Sequence, residues 1–240
     1  LIGVSLFVFL VLRLVPGDRA QVILGLRATP EGLAAIHRDL GLDLPLVQQY
    51  LHWLGNLVTG DFGADYRSNT PVTTLLATRL PVTVELTLIS LIMAVVVALP
   101  LGIAAAIRPH GMADHLASAV GLVGISIPDF WLGIMLVLLF SLGLGLFPSS
   151  GYVPLQEGLW TNLRSFVLPA ATLATGLAAV LVRVTRSAVT EVLSRDFVRF
   201  LRAKGLKERT IVYIHVLRNA SVPIVTIIGM QFGYLLGGAV

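Results

Sequence analysis

The sequence predicts an all-α, polytopic membrane protein, and three observations carry that prediction. Its 240 residues are 56% hydrophobic and 12% charged, roughly half the charge content of an average soluble domain. Three runs, Leu86 to Ile107, Ser165 to Val182 and Asn219 to Val240, contain no charge at all, and about 20 apolar residues are what a helix needs to cross the hydrocarbon core. The cations are concentrated between two such runs. From Arg183 to Arg218 there are nine Lys/Arg against only Glu191, Asp196 and Glu208, a local excess larger than the formal +4 of the whole chain.

In chain order, Leu1 to Leu12 is apolar but short, and the chain opens on Leu. The expectation is a fragment of about five spans that begins inside one span and stops inside or just after another. A cleaved signal peptide is the competing reading, but no basic lead or small-residue cleavage site is visible. Residues 15–83 hold two amphipathic helices. Thr29-Pro30-Glu31 reads as an N-cap, a first-turn proline and a dipole-complementing acid, followed by Leu33, Ile36 and Leu40 and a stop at Gly41. Pro45 starts a second helix with Val47, Tyr50, Leu51, Leu54 and Val58 on one face, ending at Gly60. Their oily faces are expected to pack on the spans or rest on lipid, with a partner protein as the alternative.

The next spans are Leu86 to Ile107 and His115 to Ser149, the latter interrupted only by Asp129. An acid inside a span is a functional candidate by default, so Asp129 is a candidate for gating or for the transport pathway; its position after Pro128 also suits a helix break facing water. Pro100, Pro128 and Pro169 each remove a helical hydrogen bond and predict bent helices. Gly229, Gly233 and Gly237 form a small-residue row at spacing four, as do Ala170, Ala174 and Ala178, and such rows let helix backbones approach closely.

Cytoplasmic loops are enriched in Lys/Arg, which orients the chain: 183–218 inside, 146–164 outside, 108–114 inside and 15–83 outside. The expected division is 1–83, a first span plus an extracytoplasmic loop, and 84–240, the core transmembrane region. The same rule accounts for a pI near 9.8 without nucleic acid as a partner. With no cysteine, thiol chemistry and zinc-thiolate sites are excluded. No P-loop, dinucleotide fingerprint or G-x-S-x-G turn occurs, and no histidine stands at i, i+4 from another with a carboxylate beside it. No catalytic residue, metal or cofactor is expected.

Within the cationic interval, Leu193, Phe197, Phe200 and Leu201 recur at helical spacing from Glu191 to Lys204, and Glu191 precedes Arg195 by a favourable four residues. Gly205 supplies a left-handed stop, and Leu206 to Arg209 starts a second helical stretch at an angle. A helix lying on anionic lipid or a plain connector would not need that glycine corner.

"RAKGLKERTIVYIHVLRNASVPIVT" resembles the cytoplasmic loop of permease subunits of ATP-binding-cassette importers, the peptide and nickel group in particular. "LFVFLVLRLVPGD", "GLDLPLVQQYLHWLGNLVTGDFG", "LPVTVELTLISLIMAVVVALPLGIAAA" and "ISIPDFWLGIMLVLLFSLGLGLFPSSG" resemble the same group, so the likeness covers essentially the whole chain. It implies a helical bundle of the type I importer permease kind in the inner membrane of a prokaryote. It implies a second permease subunit, generally a paralogue, two cytoplasmic ATP-binding subunits that perform the hydrolysis, and an extracytoplasmic solute-binding protein that reaches the outer helices near 30–58. The cargo implied is small peptides or related solutes such as glutathione or nickel complexes. Phe197, Phe200 and Leu201 would anchor the ATPase, Arg199, Arg202 and Lys204 would set register, Ala203 and Leu206 would complete the surface, and Gly205 would hold the corner. There are departures. Arg199-Phe200-Leu201 stands where the peptide group usually reads Arg-Thr-Ala, and the family's final span is not present. An ion-coupled secondary transporter would show paired acids and an internal repeat, an intramembrane enzyme a nucleophile and base, and a non-transporting scaffold would have no use for the corner.

Overall fold

The computed structural model describes residues 2–14, 17, 19–24, 29–39, 41–65, 68 and 70–238. It divides into two compact units, 1–79 and 80–240. Among the described residues no strand forms; the one β-bridge joins Ala64 and Pro71.

The first unit holds α1 (Ile2–Leu14), α2 (Arg19–Leu24), α3 (Pro30–Asp39) and α4 (Leu46–Val58). Thr29 caps α3 as its type predicts, its Oγ1 accepting the Gly32 N–H at 3.2 Å. Gly41, at φ +60, closes the far end, where Leu42 N–H donates to His37 O at 2.9 Å; the expected role of Leu40 lies outside the described residues. Gln49 is buried and donates to Leu42 O at 2.9 Å and Leu44 O at 2.7 Å, satisfying carbonyls of the α3–α4 turn. The face of α4 expected to pack does so only in part, at half-buried Tyr50 and Leu54. Tyr50 and Trp53 lie against Phe9 of α1, edge-on and tilted, at centroid distances of 5.4 and 6.3 Å, while Val47, Leu51 and Val58 stay exposed.

The second unit is a set of long helices around α8 (Leu159–Leu193). Its other members are α5 (Val72–Ile107, which begins in the first unit), α6 (Met112–Ser126), α7 (Asp129–Leu136, continued as a π-helix over Val137–Gly143), α9 (Asp196–Ala203), α10 (Glu208–Thr210, running through a π-helix, Ile211–Val216) and α11 (Leu217–Gly238). Three helices, Val72–Ile107, Leu159–Leu193 and Glu208–Gly238, are long and apolar enough to cross a membrane. The α6–α7 pair is a fourth if bent into one broken span, and Ile2–Val11 is a shorter apolar helix. Half of the apolar stretch of α8 is buried, against 28% for α5 and for the last span, so α8 is the central helix.

Small residues set these contacts. Thr83, Thr87, Ser90, Ala94, Ala98, Gly102 and Ala105 of α5 are buried at a spacing of three to four, and the Ala170, Ala174 and Ala178 row of α8 is buried too, which lets backbones approach. A Cβ on Gly102 would lie 2.8 Å from Thr185 Cβ, and one on Gly124 2.7 Å from Ala179 Cβ and 2.9 Å from Thr175 O. The Gly229, Gly233 and Gly237 row differs: no atom lies within 4 Å of a Cβ at any of the three. Among the described residues, nothing outside its own stretch of helix packs on that row.

Pro128 sits at the break between α6 and α7, where the axis turns by 103°. Pro100 and Pro169 lie inside continuous helices. The register against α8 decides what kind of break this is. Asp114 meets Arg186, Gly124 meets Ala179 and Thr175, Gly176 lies beside Asp129, Gly133 lies beside Thr172, and Leu146 O accepts from Arg164. The pair therefore advances steadily along α8 from residue 186 to 164, roughly 33 Å at 1.5 Å per residue. A re-entrant loop would return to its starting level; this pair leaves α8 at the other end and is a broken span.

Candidate docking site

The cationic interval folds into a corner built on the end of α8. The helix expected from Glu191 to Lys204 is interrupted: α8 runs to Leu193, Arg195 takes an extended backbone (ψ 148), and α9 starts afresh at Asp196. Leu193 thus belongs to α8. Arg195 folds back to Glu191, Nη2 to Oε1 at 2.8 Å, the i, i+4 pair read from the sequence.

The eight residues of α9 divide into two faces. Val198 is fully buried, and Phe197 and Leu201 are half-buried against the same core. These three hold α9 to the second unit. Asp196, Arg199, Phe200 and Ala203, at i, i+3, i+4 and i+7, face outward with Lys204. The expected anchoring trio is therefore split. Phe197 and Leu201 pack on this chain's own core, as does half-buried Leu206, and Phe200, 59% exposed, is the large apolar side chain on the outward face. One cation lies on it: Lys204 Nζ sits 4.5 Å from its ring centroid, a cation–π contact; on the same outward face Arg199 pairs with Asp196 at 3.4 Å. Val198, which holds the helix down, escaped the sequence reading because Leu193 was counted as part of the same ridge.

The corner is a Schellman closure. Gly205, at φ +79, donates to Arg202 O at 2.9 Å, and Leu206 donates to Leu201 O at 3.3 Å. Leu201 and Leu206, the pair that accompanies this motif, both pack on the core. A Cβ at Gly205 would meet nothing within 4 Å, so the glycine is demanded by backbone conformation alone. Arg202 spans the corner, Nε to Glu208 Oε1 at 2.6 Å and Nη2 to Oε2 at 3.2 Å. The hydrogen-bonded Glu208 carboxylate pushes the Arg202 pKa further up from an already high value. Arg202 is engaged in bracing the angle between α9 and α10, while Arg199 and Lys204 remain directed outward.

Beyond the corner, Asp129 and Glu85 are acids within the apolar helices. Asp129 opens α7 at the Pro128 break and is exposed, its Oδ1 3.6 Å from the point a Cβ on Gly176 would occupy. Glu85 lies within α5, because α5 starts well before Leu86; the run without charge marked only part of the helix. Its Oε2 accepts from Asn162 Nδ2 at 3.2 Å and Tyr152 OH at 3.4 Å. Among the described residues no cation pairs with Glu85. Burial and the neighbouring Glu85 charge raise the pKa of Tyr152. No group of His and acidic residues able to hold a metal occurs among the described residues.

Two family models match the chain. Residues 98–240 match the binding-protein-dependent transport system inner membrane component, and residues 1–87 match the N-terminal part of such membrane components. The chain is 40% identical to a protein of Brucella abortus named as a peptide transport system permease, over 99% of this chain and 76% of that one. It is likewise 40% identical to a glutathione transport system permease protein of Escherichia coli, over 99% of this chain and 75% of that one. A peptide ABC transporter permease protein of Sinorhizobium fredii is 38% identical over the same 99%.

Proposed function

Since the chain belongs to the family of binding-protein-dependent transport system inner membrane components, and is an integral membrane permease subunit of an ATP-binding-cassette transport system, we propose that it imports small peptides or related solutes by alternating access driven by partner ATPases. The relatives' names point to peptides and glutathione, one cargo class with a γ-linked member. Two ATP-binding subunits on the cytoplasmic side, a second permease subunit and an extracytoplasmic solute-binding protein complete the proposed assembly. The proposed location is the inner membrane of a prokaryote.

The observation that carries the reading is the outward face of α9. One large apolar side chain with Lys204 on its ring and Arg199 on the same face, on a short helix whose other face is fixed to the spans and whose exit is locked by a Schellman corner, suits a groove on a moving partner. Arg199, Phe200, Ala203 and Lys204 make the contact in this proposal, and Phe197, Leu201, Arg202, Gly205 and Leu206 make the rigid mount. ATP favours the closed ATPase pair, and the mount converts that preference into a bias on the spans. ATP hydrolysis belongs to the partners. Asp129, at the break of a bent span, is proposed to line the pathway or its gate.

Reconstitution of the chain with its neighbouring permease, ATPases and binding protein in vesicles tests this. Uptake of a labelled dipeptide or of glutathione should require ATP on the ATPase side and the binding protein on the other. Uptake that follows an ion gradient and ignores ATP would refute it.

A further inference from the structure

At the end of α8 nearest the corner, Arg186 Nε lies 2.7 Å from Asp114 Oδ1 and its Nη2 donates to Oδ2 at 3.2 Å. Asp114, in the first turn of α6, is buried, and its Oδ2 also accepts the N–H of His110 at 2.9 Å. His110 stands at φ +63, the one non-glycine residue with positive φ among those described. A single carboxylate thus ties three pieces together: α8, the start of α6, and a turn after α5 held in a conformation that L-residues avoid. A charge-assisted hydrogen bond is strong and directional, and removing Arg186 leaves the buried Asp114 carboxylate without its cation.

The surroundings favour a mechanical reading. Arg186 lies on the uninterrupted stretch of α8 that leads into α9, with the Glu191–Arg195 pair between them. Beside it, the helices touch backbone to side chain at Gly102 with Thr185, so the ends of α5, α6 and α8 form one dense layer. Along the α6–α7 span this layer ends at the Ile127–Pro128 break, where α7 departs at 103°. Hinges are a few residues at element ends that absorb such changes.

Resting on the permease reading above, we propose that Asp114 and Arg186 are positioning residues: they clamp α6 to α8, so that displacement of α9 carries α6 and the α5–α6 turn as one body pivoting at Pro128. No other residue pair among the described charges joins two spans in this unit.

The test uses the full transporter in vesicles and reads the ratio of labelled dipeptide imported to ATP hydrolysed. Asp114→Asn and Arg186→Gln should each lower that ratio about ten-fold while ATP hydrolysis persists, and the double variant should be no worse than the poorer single one. An unchanged ratio would overturn the clamp. So would import and hydrolysis falling in equal proportion, the signature of a merely structural role, or losses that multiply in the double variant. If Asp114→Asn does not assemble, Arg186→Lys, which keeps the charge and loses the Nη2 donor to Oδ2, should still lower the ratio, and a wild-type ratio there overturns the proposal. Failure of the wild-type assembly to import peptide with ATP refutes the proposed ATP-driven peptide import itself and is thereby distinguished.

Discussion

At Gly205 the surrounding space is open and the backbone alone is demanding. The left-handed conformation costs an L-residue roughly 1–2 kcal/mol, more for a β-branched one, and no neighbour would clash with a side chain there. Gly205→Ala should therefore weaken the corner modestly and Gly205→Val strongly. Both should lower import per ATP hydrolysed in reconstituted vesicles, in that order; equal coupling in the Val variant would remove the corner from the mechanism. Gly124 is the opposite case, ordinary in backbone and closed in space. A methyl group there meets Ala179 Cβ at 2.7 Å and a backbone oxygen at 2.9 Å, so Gly124→Ala should cost about 1–3 kcal/mol by overpacking. Gly233→Ala, which meets nothing within 4 Å, should not destabilise the purified chain. Thermal unfolding of both variants in detergent, followed by tryptophan fluorescence, checks the contrast.

As an element, α9 has a face that packs on the core and an opposite face that carries the proposed docking, which gives two substitutions with different readouts. Leu201→Ala removes a side chain that packs on the core and should cost about 2 kcal/mol, the low end for Leu→Ala because Leu201 is only half-buried. Phe200→Ala removes an exposed one and should leave thermal stability within about 0.5 kcal/mol, yet the ATP-binding subunits should be lost when the complex is purified through a tag on the permease. Retention of those subunits by the Phe200 variant would move the docking surface elsewhere. The contrast also explains how far the sequence could be read here. Helical spacing and the glycine stop were visible because they are local properties of the chain. The division into faces was not, because Phe197, Phe200 and Leu201 are equally apolar and only the position of the core says which of them already has a partner. The same limit hid Glu85: hydropathy marks where charge is absent, while a helix starts where its backbone allows, and α5 begins well outside the uncharged run.

Across the second unit, the number of apolar runs and their order were legible, since each is long enough to demand a span. The break at Pro128 was legible as a bend, but its meaning depends on contacts distant in sequence. Sharp bending would equally suit a loop that enters and leaves by one side, and the two arrangements put opposite demands on everything after residue 146. The contacts with α8 choose between them, and α5 agrees: Glu85 lies by Asn162 and Gly102 by Val182 and Thr185, so α5 runs parallel to α8 while the broken pair runs against it. With the cationic corner inside, His110 and Lys207 must then share one side and Leu155 must face the other. The absence of cysteine makes this directly measurable. His110→Cys, Leu155→Cys and Lys207→Cys, three exposed positions, should react with a membrane-impermeant maleimide added outside whole spheroplasts only at 155, and at all three after lysis. Labelling of 110 and 155 from the same side would make α6–α7 a re-entrant loop, reverse α8, and carry α9 away from any cytoplasmic ATPase.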